Sequence, residues 1–100
     1  MLALSVRQPF AERIMAGTKR IEDRSIRTHI RGRAYVYASL KGDKDAGDGL
    51  PRGVVVGTVE VVDCTGTPGD YHWHLRAPRR LAQLRKPDRQ PQPVWFRPFE

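Results

Sequence analysis

The chain has 100 residues, with 18 Lys and Arg against 11 Asp and Glu, for a formal net charge of +7 at pH 7 and a pI near 10.3. That length supports one modest core and a single domain over residues 1–100, and the longest apolar stretch, Val54 to Val62, is far below the roughly 20 residues of a membrane helix. The opening Met-Leu-Ala-Leu-Ser-Val lacks the parts of a secretory leader and the lone Cys64 excludes an internal disulfide, so a cytoplasmic, non-membrane protein is expected, with a basic surface that suits a polyanion.

Leu2 to Ser5 reads as a short strand. Pro9 at a first helical position opens a helix of about two turns, with Ala11, Ile14 and Met15 on an inner stripe and Glu12 and Arg13 facing water. Gly17 suits the left-handed position that ends such a helix. Arg20 to Arg24 reads as extended, which sets Glu22 and Arg24 on one face. Lys19 has the opposite parity and joins them only if the turn at Gly17-Thr18 rotates its side chain. Arg33 to Ser39 alternates Ala34, Val36 and Ala38 against Tyr35, Tyr37 and Ser39, the period of a strand.

Lys41 to Gly53, rich in Gly and Asp, predicts a flexible connection. Six valines between Val54 and Val62 mark a central strand, and Gly57 within it predicts a bulge or sharp bend of the kind small barrels need to close. Thr65 to Asp70 reads as a turn, Tyr71 to Leu75 as a short strand, and Ala77 to Leu84 as a helical turn introduced by Pro78. Pro87, Pro91 and Pro93 enforce an irregular path before Val94-Trp95-Phe96, which is short enough for an edge strand. The segment from Arg76 to Arg97 is strongly basic, with seven Lys and Arg against Asp88 alone. Short strands with one or two brief helices predict an α+β, mostly β fold, specifically a small and mostly antiparallel β-barrel.

The pattern G-x-K-x-x-E-x-R from Gly17 to Arg24 is the most informative feature, because the preceding helix folds it back toward Ser5, Arg7 and Gln8. Two polar segments would then converge on one cleft. A lysine acts as nucleophile or base only when neutral, a state that adjacent cations such as Arg20 and Arg24 favour and a paired Glu22 opposes. Glu22 could instead accept a proton from water or hydrogen bonds from a base's amino group, and the planar fork of Arg24 suits a phosphate or a base edge. The plainer reading is an ion network of Lys19, Glu22 and Arg24 bracing a strand end. Ser5, Arg7 and Gln8 either contact a ligand at the helix start or cap the helix. Tyr37 and Trp73 are candidates for stacking on bases, Trp95 for packing, and Arg76, Arg79 and Arg80 for gripping phosphate. Cys64 reads as a buried strand residue. His72 and His74 share a strand face near Asp70 and Cys64 but fall short of a zinc ligand set, so neither metal nor other cofactor is expected.

Leu4-Ser5-Val6-Arg7-Gln8-Pro9-Phe10-Ala11, followed by Gly17-x-Lys19-x-x-Glu22-x-Arg24, resembles the signature of the ASCH domain family. The likeness extends through residues 32–39 and 56–64 and more weakly through 71–75. It implies a PUA-like β-barrel with a cleft beside the helix into which Lys19, Glu22 and Arg24 project. It also implies an association with RNA, because the family includes RNA-binding modules, a ribonuclease and a small amidohydrolase that deacetylates N4-acetylcytidine. In that amidohydrolase the lysine matching Lys19 is catalytic; its threonine three positions on is replaced here by Glu22, and its catalytic glutamate has no clear counterpart. The leading expectation is an RNA- or nucleotide-binding module whose Lys19/Glu22/Arg24 cleft holds a base. The alternatives are a hydrolase of the same family acting through those three residues, and an interaction domain for acidic peptides.

Overall fold

A computed structural model of the chain describes residues 1–41 and 48–99. Of the predicted Lys41–Gly53 connection, residues 42–47 lie outside the described residues. The described elements are β1 (Ala3–Val6), α1 (Phe10–Met15), β2 (Ile21–Arg24), β3 (Gly32–Ala38), β4 (Val54–Thr67), β5 (Asp70–Arg85) and β6 (Trp95–Phe96). They make one sheet in the order β2-β5-β4-β3-β1-β6, curled into a half-barrel, so the mostly β, barrel-like class read from the sequence holds. Valine-rich β4 lies inside the sheet between β5 and β3, where β-branched side chains fill both faces of a pleated surface. Neighbours run antiparallel except β1 and β3, whose parallel pairing follows from the crossover through α1 and β2.

Period-two alternation divides the apolar residues between two faces. One face carries Leu4, Val6, Val36, Val59, Val61 and Trp73, covered by Ala11, Ile14 and Met15 of α1 as their helical spacing requires. The other holds a smaller cluster of Ala3, Tyr37, Val55 and Phe96. Both ladders of β4 shift register around Val56, beside the glycine expected to mark a bulge. A side chain at Gly57 would run into the Met15 sulfur and the Arg79 carbonyl oxygen, and would sit 3.1 Å from the Arg80 Cα. The glycine therefore lets α1 lie directly on the sheet.

Three expectations are corrected. The residues from Ala77 to Leu84 are not a helical turn, because β5 runs unbroken from Asp70 to Arg85. Pairing of Arg79, Arg80 and then Arg85 with β4 outweighs the helix-forming side chains between them, and Pro78 is accommodated where the β4–β5 register shifts between Thr58 and Glu60, a position that requires no donor from it. The turn expected over Thr65 to Asp70 shrinks to Pro68-Gly69, with Gly69 at φ +88°, so the two longest strands form one hairpin arm. Glu12, expected to face water, is half-buried and gives both carboxylate oxygens to Arg80 of β5, at 2.8 and 2.7 Å. Among the described residues there is one α-helix, and no helix is long and apolar enough to cross a membrane.

Candidate functional site

β2 and β6 are the two edges of the curled sheet, so the half-barrel has an open seam. Side chains cross that seam where backbone pairing does not. Arg24 on β2 donates through Nη2 to the Ser5 carbonyl of β1 at 2.6 Å, although three strands separate β2 from β1 within the sheet. Trp73 of β5 stacks on Trp95 of β6 with ring centroids 5.6 Å apart and planes 5° from parallel. The stretch before β6, residues 90–94, is strapped to β1: the Ser5 hydroxyl donates to the Gln92 carbonyl at 2.7 Å and the Ser5 amide to that of Val94 at 2.9 Å.

A cleft of about 680 Å³ opens between β2, the start of α1, the end of β3 and this strap. Its lining includes Lys19, Glu22 and Arg24, so the structure brings the three motif charges together. Local geometry explains how Lys19 reaches the others. Gly17 takes φ +80°, and the Thr18 and Lys19 amides both donate to the Arg13 carbonyl, at 3.0 and 3.1 Å, which turns Lys19 toward β2. Its Nζ stands 3.5 Å from Glu22 Oε1. Arg24 contacts Glu22 Oε2 through Nε at 2.8 Å and Nη2 at 2.6 Å. Glu22 is only 7% exposed, so a buried carboxylate sits between two cations. Arg7, Lys19, Arg24 and Lys41 against Glu22 and Asp23 leave the lining with a net charge of +2.

The other sequence candidates divide. Ser5 and Arg7 line the cleft, Arg7 exposed and Ser5 engaged by the strap and Arg24. Gln8 does not: its Oε1 accepts the Glu12 amide and its Nε2 donates to the Pro51 carbonyl, both at 2.9 Å, which makes it a helix cap. Tyr37 borders the cleft but is 3% exposed and edge-on to Phe96 at 5.2 Å; burial pushes its hydroxyl pKa above the usual 10.0. Trp73 is fully buried and donates its indole N–H to the Ile26 carbonyl at 3.0 Å, so it serves the core and has no face open to a base. Cys64 is half-buried on β4 against that core. Arg76, Arg79 and Arg80 lie on β5 outside the cleft; Arg76 pairs with Glu60 at 3.0 Å and Arg80 with Glu12. His72 hydrogen-bonds Asp23 across the β2–β5 pair at 2.7 Å, and His74 bonds Thr65 at 2.8 Å. Among the described residues no group of three or more His, Cys, Asp or Glu is arranged to hold a metal.

Two features of the cleft escaped the sequence reading. Phe10 is 42% exposed and lines it, with Lys19 Nζ 5.3 Å and the Arg13 guanidinium 5.5 Å from its ring centroid. The available signal was an aromatic lying outside the buried stripe of its own helix. The wall made by residues 90–94 had no signal, since its place depends on β6 pairing with β1.

A curled, mostly β sheet with one helix laid on it and a ligand-sized charged cleft at its seam defines a small barrel-like β domain. The chain matches the ASCH domain over residues 4–89 and belongs to that family. No curated protein gives a significant match to it.

Proposed function

We propose that the protein is an RNA-binding module that holds one unpaired nucleotide in the seam cleft. The observation that carries this reading is the exposed ring of Phe10 beside the fixed series Lys19, Glu22, Arg24, in a cleft of nucleotide dimensions. Its volume falls within the ~300–1,000 Å³ typical of small-molecule sites. Phe10 offers a stacking surface, a contribution of roughly 1–3 kcal/mol per base. Glu22 accepts from an exocyclic amino group and Lys19 donates to a ring nitrogen or carbonyl oxygen, since its ammonium carries three donors and Glu22 occupies one. Membership of a family associated with RNA supports the same ligand, and the net positive lining suits the phosphate that accompanies the base.

Fluorescence anisotropy with a short labelled single-stranded RNA tests this. Lys19→Ala and Phe10→Ala are each expected to weaken binding, by about tenfold for the aromatic. The same preparations, incubated with N4-acetylcytidine and with unlabelled RNA, are expected to release no product. Turnover that disappears in Lys19→Ala would replace the binding reading with the hydrolase. Unaltered affinity in Phe10→Ala would remove the base from the cleft.

A further inference from the structure

A second hollow of about 270 Å³ adjoins the cleft, and Lys19 lines both. Buried Ile14, Val59 and Leu75 supply its apolar part, while Lys19, Arg20 and Arg76 bring three cations with no carboxylate among the lining residues. Glu22 already engages Lys19, and Glu60 engages an Arg76 side chain that is still 67% exposed. Arg20 is exposed and pairs with no carboxylate among the described residues.

The backbone is distorted where it lines this hollow. At Ala77, which lines it, β5 takes φ +50°, a left-handed conformation that costs energy for a residue with a Cβ. Arg33 holds the distortion, donating through Nη1 to the Ala77 carbonyl at 2.7 Å and to the Thr58 hydroxyl at 3.1 Å. Strain of this kind, over-determined by its neighbours, clusters at ligand sites.

We propose that the hollow is a phosphate subsite for the nucleotide next to the one in the cleft, so that the protein takes an oligonucleotide of at least two units, draped over Lys19, in preference to a free nucleoside. This rests on the reading of the cleft as a base site. The volume is below the ~300 Å³ at which independent ligand sites begin, which marks an extension of the cleft and not a separate pocket. Its chemistry matches a sugar–phosphate unit: cations for the diester and an apolar patch for the face of the ribose. Continuity with a nucleotide-sized cleft favours nucleic acid over an acidic peptide, which would use the cations and leave the cleft empty.

The test measures binding of an RNA hexanucleotide and of free cytidine to the wild-type chain, Arg20→Ala, Arg20→Lys and Phe10→Ala, between 50 and 200 mM salt. Arg20→Ala is expected to weaken the hexanucleotide by roughly three- to tenfold, to lower the slope of log K against log salt by about 0.7, and to leave cytidine unaffected. Arg20→Lys is expected to retain the slope. If Arg20→Ala binds the hexanucleotide with wild-type affinity and slope while Phe10→Ala weakens both ligands, the subsite is overturned and the base cleft stands. If Phe10→Ala changes neither ligand, the cleft reading fails and the subsite with it. An acidic hexapeptide that displaces the RNA in an Arg20-dependent way overturns the proposal in favour of a peptide.

Discussion

Glu22 has both carboxylate oxygens facing cations and almost no water, so removing its charge leaves Lys19 and Arg24 without the anion that each of them pairs with. Glu22→Gln is expected to cost about 1–3 kcal/mol, seen as a fall in Tm of roughly 4–20 °C. A melting temperature within a degree or two of wild type would show that the triad contributes nothing to the fold. Arg24→Lys tests a different property of the same group. A lysine keeps the charge but cannot reach Glu22 and the Ser5 carbonyl with one planar fork, so the seam loosens even though the net charge is unchanged. The three motif charges were legible from spacing alone. That Gln8 caps α1 and Trp73 serves the core was not, because exposure depends on what the rest of the chain lays over a residue.

α1 has only six residues and no side-chain cap at Pro9, so its place depends on the sheet beneath it and on the ion pair to β5. Gly57→Ala is expected to push the helix away from β4 and lower the unfolding free energy by about 2 kcal/mol or more, as overpacking does. Chemical denaturation measures it; an unchanged midpoint would mean that α1 shifts freely. The hydrogen bond from Arg80 holds the Glu12 carboxyl below its usual 4.5, with Coulomb attraction adding and burial opposing. The Asp48 carboxyl is held at about 2, first by its bond from Arg52 and then by the Leu50 amide. Because both values are depressed in the folded state, the stability they contribute is present above the ordinary carboxylate range. It is lost as pH falls from about 4.5 toward 2. Tm measured across that interval is expected to fall, and to fall less steeply in Glu12→Gln; identical acid limbs would exclude the helix–β5 pair as a contributor. β5 itself was misread past Arg76 because Pro78, Ala82 and Leu84 speak locally for a turn or helix. Only the β4 pairing on either side of them, at Arg79, Arg80 and Arg85, overrules them.

The Cα radius of gyration, 12.7 Å, is that of a compact chain of this length, for which about 13 Å is expected. Holding it together takes two clusters on opposite faces of one sheet, and the smaller depends on the C-terminal Phe96, 6% exposed against Tyr37. Phe96→Ala is expected to cost about 3–5 kcal/mol. It should also move the alkaline titration of Tyr37 back toward 10.0 as the hydroxyl regains water, which an ultraviolet pH titration reads directly. A titration that stays where it was would place the burial of Tyr37 elsewhere. The same C-terminal stretch makes one wall of the cleft, which gives a segment without a recognisable motif a part in the site.

Periodicity, glycine placement and the Gly17–Arg24 spacing were enough to predict a mostly β domain, the buried stripe of α1 and the polar segments that meet. Those properties follow from sterics and burial within a few neighbouring residues, and such short-range forces are written into any local stretch of chain. The open seam, the Arg24 bridge to Ser5 across 19 residues of sequence and the strap beside the cleft were decided by strand order alone. Strand order is settled by the joint packing of six strands and a helix, and no single segment carries enough energy to dictate it.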